Sequence, residues 1–103
     1  MVGSLAYRFV VVQDFATALE AADEAIALAA DKLWLYINRA HALMFLGRID
    51  EARALYLQYR GTKNVSDEKS WETIILDDFA ALRKAGLTNP LMNEIEGQFT
   101  TAG

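Results

Sequence analysis

The chain contains no cysteine and only one proline among its 103 residues. Without cysteine there is no disulfide, no thiol nucleophile and no cysteine-ligated metal site. The scarcity of proline, together with a hydrophobic fraction of 53%, argues against a disordered chain. The fold must therefore be held by a packed core, and the length is sufficient for one domain that contains such a core.

Basic residues are also scarce, with 10 lysines and arginines against 14 acidic residues and a formal net charge of −4. A negatively charged domain repels phosphate backbones, so we expect no nucleic-acid partner. No basic run suggests binding to an anionic membrane surface. The apolar segment 5–12 is too short to span a bilayer, is interrupted by Arg8 and lacks the features of a signal peptide. We therefore expect a cytoplasmic protein that does not bind membranes.

Apolar residues recur at helical spacing along most of the chain, which predicts an all-α fold. Asp14, Asp31 and Ser66 each precede such a segment and belong to the residue types that cap helix N-termini. Asn89 precedes the last segment in the same way, and Gly47 ends the third. The predicted helices span about 2–12, 15–29, 32–46, 49–60, 67–85 and 90–99, with acidic residues in the first turn of the fifth.

Two stretches of the chain match when one is shifted by 34 residues along the other. The shift places Ala6 on Ala40 and Ala18 on Ala52, and the match fades near Leu28. A fixed period of 34 residues with two helices per unit is typical of the tetratricopeptide repeat.

The segment 33–60 resembles one tetratricopeptide repeat residue by residue. The family's aromatic, small, large, glycine, alanine and aromatic positions are occupied in order by Tyr36, Ala40, Leu43, Gly47, Ala52 and Tyr56. Arg39 and Tyr59 depart from the pattern, since the family usually has leucine and alanine there. The first unit resembles a repeat truncated at its N-terminus, with Gln13 in place of the turn glycine.

The resemblance implies an α-solenoid of antiparallel helix hairpins with a concave binding surface. It divides the chain into two hairpins over 1–60, a capping helix and a short C-terminal helix over 66–99, and a tail over 100–103. Because the first unit begins inside the repeat pattern, we expect a fragment of a larger protein that serves as a protein–protein interaction module or scaffold. The alternatives are a structural or dimerising cap and a regulatory appendage of an enzyme domain outside this chain. No catalytic motif, zinc spacing or phosphate-binding loop occurs, so we expect no enzyme activity, no cofactor and no metal.

The first helix of each unit lines the concave surface in this family. In this sequence that surface, the concave strip, consists of Tyr7, Val10, Val11, Ile37, Asn38, His41 and Phe45, with Trp34 at its rim. Aromatic and aliphatic anchors of this kind suit a protein or peptide ligand, and the negative net charge favours a basic one. The strip is explained equally well as core that packs beneath the fifth helix.

The two polar residues of the strip carry no complete binding or catalytic motif. Asn38 stands where repeats that bind a C-terminal carboxylate have asparagine, but Gly3 and Tyr7 occupy the places of the lysine and second asparagine that such a clamp needs. His41 is the only histidine and has no cysteine or second histidine to form a metal site. We expect it to be a hydrogen-bonded histidine of the groove or core.

Self-association is predicted from the first helix. The truncated unit leaves Leu5, Phe9 and Val12 without a preceding repeat, and an exposed apolar patch favours a symmetric dimer. We expect light scattering at high protein concentration to give the mass of a dimer. A monomer mass would contradict this and would mean that the helix is covered from within the chain.

Overall fold

A computed structural model describes residues 5–66 and 68–101, and the side chains of 7–66 and 68–100. This part of the chain forms six α-helices and no strand, with one isolated bridge between Ser66 and Lys69. The helices are α1 (Leu5–Val11), α2 (Phe15–Leu28), α3 (Trp34–Phe45), α4 (Ile49–Gln58), α5 (Trp71–Lys84) and α6 (Pro90–Thr101). The predicted all-α fold is confirmed. Predictions that concern Gly3, the side chains of Leu5 and Ala6, Asp67 and the residues 102–103 lie outside the described residues.

The helices α2, α4 and α6 begin where the sequence predicts, and α2 and α6 have the expected side-chain caps. Asp14 Oδ1 accepts a hydrogen bond from the backbone N–H of Thr17 at 3.3 Å, which satisfies one of the unpaired donors in the first turn of α2. Asn89 Oδ1 accepts a hydrogen bond from the backbone N–H of Leu91 at 2.9 Å. Pro90 is the first residue of α6, a position at which a backbone N–H would have no partner within the helix.

The turns that follow α1 and α3 have the same backbone geometry. Gln13 and Gly47, which are 34 residues apart, have φ values of 68° and 86°. In the first turn the N–H of Asp14 bonds to the carbonyl of Phe9, and in the second the N–H of Arg48 bonds to that of Leu43, both at 2.9 Å. This bond across five residues is the Schellman arrangement, which requires a left-handed residue at the turn. Gln13 adopts that conformation although glycine does so at a lower free-energy cost.

The predicted start of the third helix is wrong. Asp31 was expected to cap it, but α3 begins at Trp34 after Leu33, and no side chain caps this end. The backbone N–H groups of Leu35 and Tyr36 instead donate to carbonyls three residues earlier, at 3.1 and 2.9 Å. Because these tighter bonds satisfy the first donors, the helix has no need of a side-chain cap.

The predicted start of the fifth helix is wrong as well. Ser70, not Ser66, is the cap: its Oγ accepts a hydrogen bond from the N–H of Thr73 at 3.2 Å. The segment before it forms a tight turn in which the N–H of Val65 donates to the carbonyl of Lys69 at 2.8 Å. Glu68, expected in the first helical turn, has a φ of 63° and lies in this tight turn outside the helix.

One hydrophobic core runs through all six helices. The pairs α1–α2, α2–α3 and α3–α4 pack along their lengths, and α6 packs on α4 and α5. Small residues lie where these helices approach, since Ala18, Ala22, Ala40 and Ala52 are fully buried. Arg53 of α4 forms an ion pair with Glu94 of α6, so α6 is held against the second hairpin by a polar contact as well as by the core.

Overpacking at Ala52 tests the repeat register. Ala40 and Ala52 are fully buried on neighbouring helices, so Ala52→Leu should lower the free energy of unfolding by about 1–3 kcal/mol. Ala54 is exposed on the same helix, and Ala54→Leu should change the free energy of unfolding by less than about 0.5 kcal/mol. Denaturant unfolding of both variants measures the difference. Equal stabilities would mean that Ala52 does not lie at a close helix crossing.

Candidate functional site

The residues of the predicted concave strip fall into two groups by burial. Ile37, Asn38 and His41 are fully buried, as is Val10, and Tyr7 is nearly so. These side chains present no surface to a partner. For them, the alternative interpretation of the strip as core is correct. This corrects the predicted partner contacts of Tyr7, Ile37, Asn38 and His41, because their side chains are buried. The helix α5 contacts the strip at His41, through Asp78 and Phe79.

The side chains of Trp34 and Phe45 remain partly exposed to solvent. They lie at opposite ends of α3, both are half-buried, and Phe45 stacks on Phe15 of α2 with ring centroids 5.0 Å apart. Val11 at the end of α1 is also partly exposed. The accessible part of the strip is therefore its periphery.

His41 is held between two neighbouring helices. Its Nδ1 lies 2.6 Å from the hydroxyl oxygen of Tyr56 on α4, and its Nε2 lies 3.0 Å from Oδ2 of Asp78 on α5. When Nε2–H donates to the carboxylate, Nδ1 accepts the hydrogen bond of the phenol, so both ring nitrogens are satisfied. The prediction of a hydrogen-bonded histidine is confirmed, and the ring has no lone pair left for a metal.

Aromatic rings enclose this polar chain. Tyr7 meets His41 edge to face with centroids 6.4 Å apart, and Phe79 lies 5.8 Å from His41 and 5.4 Å from Tyr56. Burial disfavours the phenolate and raises the pKa of Tyr56 well above its ordinary value, and the negative charge of Asp78 adds to the effect. The same two causes, in the same order, raise the pKa of Tyr7.

A tyrosine, a histidine and a carboxylate that are linked in series by hydrogen bonds resemble the nucleophile, base and orienting group of some enzymes. Here the phenol and the imidazole are fully buried, and the raised pKa keeps the phenol protonated. No substrate atom can reach them, so the geometry supports a structural role. Among the described residues no cluster of three or more histidine or acidic side chains is arranged to hold a metal ion.

Tyr59 and Arg39, the two departures from the repeat pattern, have specific partners. Tyr59 packs edge to face on Trp71 at 5.1 Å and lies 5.6 Å from the ring of Tyr36. Arg39 Nε donates to Oδ1 of Asp23 on α2 at 2.8 Å. Tyr59 therefore contributes packing against α5, and Arg39 contributes an ion pair between neighbouring helices.

Sequence reasoning missed Asp78 as a partner of His41. The signal was present: Asp78 is the one acidic residue on the buried face of α5, among Ile74, Ile75 and Leu82. A carboxylate on an apolar stripe needs a buried hydrogen-bond donor, and the only histidine of the chain was available.

Comparison with known proteins gives one match. The family model described as tetratricopeptide repeat matches residues 12–67, which is more than half of the chain. No curated protein and no solved structure gave a significant match. Over the part of the chain that the structure describes, no helix combines the length and the apolar character that crossing a membrane requires.

The phenol of Tyr56 is predicted to remain protonated at a pH where a free tyrosine ionises. Its raised pKa means that the folded state keeps a proton which the unfolded state releases above about pH 10. Its contribution to stability is therefore complete below that pH and falls as the pH rises further. Alkaline absorbance titrations of the native protein and of Tyr56→Phe should coincide until the protein unfolds. A step near the ordinary tyrosine pKa that disappears in Tyr56→Phe would contradict this.

Proposed function

Because the chain belongs to the tetratricopeptide repeat family, we propose that it is a protein–protein interaction module without catalytic activity of its own. The observation that carries the proposal is the family match over residues 12–67. The buried chain from Tyr56 through His41 to Asp78 supports it, because these polar groups hold helices together and are not accessible to a substrate.

The proposed contact surface is the accessible periphery of the concave strip. Trp34 and Phe45 supply aromatic anchors at the two ends of α3, and the partly exposed Val11 lies at the end of α1. Large aromatic side chains dominate binding energies because they bury much area and lose little conformational entropy. Ile37, Asn38 and His41 belong to this proposal only as the buried support beneath the surface.

A basic protein or peptide is the proposed partner class. The net charge of −4 attracts cationic partners and raises their association rate, with an effect that weakens as salt is added. Asp31 and Lys32, which precede Trp34, form an ion pair at 3.8 Å, so the attraction comes from the net charge of the chain and not from a local carboxylate beside the anchor.

Dimerisation is the second candidate function. Val11 and Val12 end the first helix and its turn with 38% and 69% of their surfaces exposed. Phe9 of the same helix is half-buried. An apolar surface of this kind favours association with a second copy, as in a dimerising cap.

The interaction proposal predicts that Trp34→Ala weakens partner binding without unfolding the protein. The purified chain is immobilised, partners are captured from an extract of the source cells, and the affinity of the principal partner is measured by calorimetry. Removing a half-buried aromatic anchor should weaken binding about tenfold or more, which is about 1.4 kcal/mol. Leu28→Ala is the matched control, since Leu28 is the most exposed large hydrophobic residue and lies outside the strip.

A variant at a buried position of the strip distinguishes an effect on stability from an effect on binding. Ile37 is fully buried, so Ile37→Ala should lower the free energy of unfolding by about 2–5 kcal/mol, while the affinity per folded molecule stays unchanged. Failure to retain any partner, or an equal loss of affinity in Trp34→Ala and Leu28→Ala, would contradict the proposal.

A further inference from the structure

The turns between α1 and α2, between α3 and α4, and between α5 and α6 lie along one edge of the molecule. Stacked Phe15 and Phe45 join the first turn to the second. Asn89 Nδ2 lies 3.5 Å from the carbonyl oxygen of Met44, which joins the third turn to the end of α3. A cavity of about 410 Å³ lies between the second and third turns. The turn edge is defined by Val11, Val12 and Leu46 together with the cavity-lining Ile49, Pro90 and Leu91.

Exposed apolar surface is concentrated on this edge. Among the described residues, three of the four exposed large hydrophobic side chains belong to it: Val11 at 38%, Val12 at 69% and Leu46 at 38%. The fourth, Leu28, ends α2 and so lies roughly 20 Å along that helix from its first turn. A Cβ placed on Gly47 would meet no atom within 4 Å, so the space beside the cavity is open. The turn edge therefore offers an apolar surface with room for side chains of a partner.

The acidic excess beside the cavity comes from Asp50: Arg53 and Glu94 line the cavity and balance each other, and Asp50 lies outside the lining but is paired with the same Arg53. The guanidinium of Arg53 is shared between Asp50, at 2.8 Å, and Glu94. Arg48 is paired one to one with Glu51, so it does not neutralise either carboxylate. The side chain of Asp50 is 99% exposed, and the hydrogen bond from Arg53 lowers the pKa of Glu94.

One cation shared by two carboxylates leaves one negative charge at the rim of an apolar cavity. A carboxylate has more acceptor sites than one guanidinium fills, so a second cation can bind there without displacing Arg53. The charge and the apolar floor together define a partner that is apolar at its centre and cationic beside it.

We propose that the turn edge binds a short segment of another protein in which apolar side chains are flanked by lysine or arginine. The apolar side chains enter the cavity over Ile49 and Leu91, and the adjacent cation meets Asp50 and Glu94. The inference rests on the proposed interaction function and gives it a second surface. That surface shares Val11 with the periphery of the concave strip but lies away from Trp34, which begins α3 at the opposite end of the helix from Leu46.

The test uses the whole chain and three synthetic heptapeptides with blocked ends. The first contains two adjacent leucines flanked by lysines, the second replaces each lysine with glutamate, and the third replaces each leucine with serine. Amide NMR spectra recorded during titration locate the binding site. The leucine–lysine peptide should shift the amides of Leu46, Gly47 and Leu91 with about millimolar affinity or better, and the other two should bind at least about tenfold more weakly.

Two variants and a control test the assignment of groups. Leu46→Ser removes exposed apolar surface next to Gly47, which lines the cavity, and Asp50→Asn removes the most exposed rim charge. Each should weaken binding of the leucine–lysine peptide about threefold or more, since each loses one contributing contact. Leu28→Ser removes an exposed leucine at the far end of α2 and should leave the affinity unchanged.

Several outcomes would overturn the inference. Equal binding of the lysine and glutamate peptides would remove the role of the rim charge. Shifts confined to Tyr7 and Trp34 would assign the peptide to the concave strip and would support the proposed function while excluding the turn edge. Edge shifts that follow protein concentration instead of peptide would identify a second copy as the occupant. No shift with any peptide would also overturn it, while the proposed function would still be decided by the capture experiment.

Discussion

The arrangement of α3, α4 and α5 depends on the hydrogen bonds of the His41 imidazole. Its Nδ1 accepts a hydrogen bond from the Tyr56 hydroxyl on α4 and its Nε2–H donates to Asp78 on α5, at 2.6 and 3.0 Å, inside an aromatic enclosure. Removing any one member leaves a buried polar group without its partner, and such a group costs about 1–3 kcal/mol. Because Asp78 and Phe79 are adjacent, the same turn of α5 supplies both the hydrogen bond and part of the enclosure. Polar and apolar contacts therefore fix the position of α5 together.

The docking of α5 determines where a partner can bind. It contacts the middle of the concave strip at His41, through Asp78 and Phe79, and both Ile37 and His41 are core. It also positions the turn to α6, which brings Pro90 and Leu91 beside Ile49 and forms the cavity of the turn edge. The packing of α5 against the second hairpin therefore has two effects: the middle of the concave strip is buried, and the cavity of the turn edge is formed.

Local chemistry explains which helix boundaries could be predicted. The turns at residues 13 and 47 share one backbone conformation and one hydrogen-bond pattern, and the repeat period in the sequence reflects that shared local structure. Capping residues are less informative, because Asp31 and Ser66 have the same side-chain chemistry as Asp14 and Ser70. Which of them caps a helix depends on whether the backbone leaves an unpaired N–H within reach, and residue type alone does not specify this.

The sequence by itself determined the helical fold, the repeat family and the apolar face of each helix. These properties depend on residue spacing within one helix or one turn, and such spacing is visible in a linear chain. Only the tertiary structure decided that Asp78 reaches His41, 37 residues away in sequence, and that the concave strip is closed over its centre while its periphery stays accessible. Periodicity identifies an apolar face but not the helix that covers it, because that choice is made by contacts between segments distant in the chain.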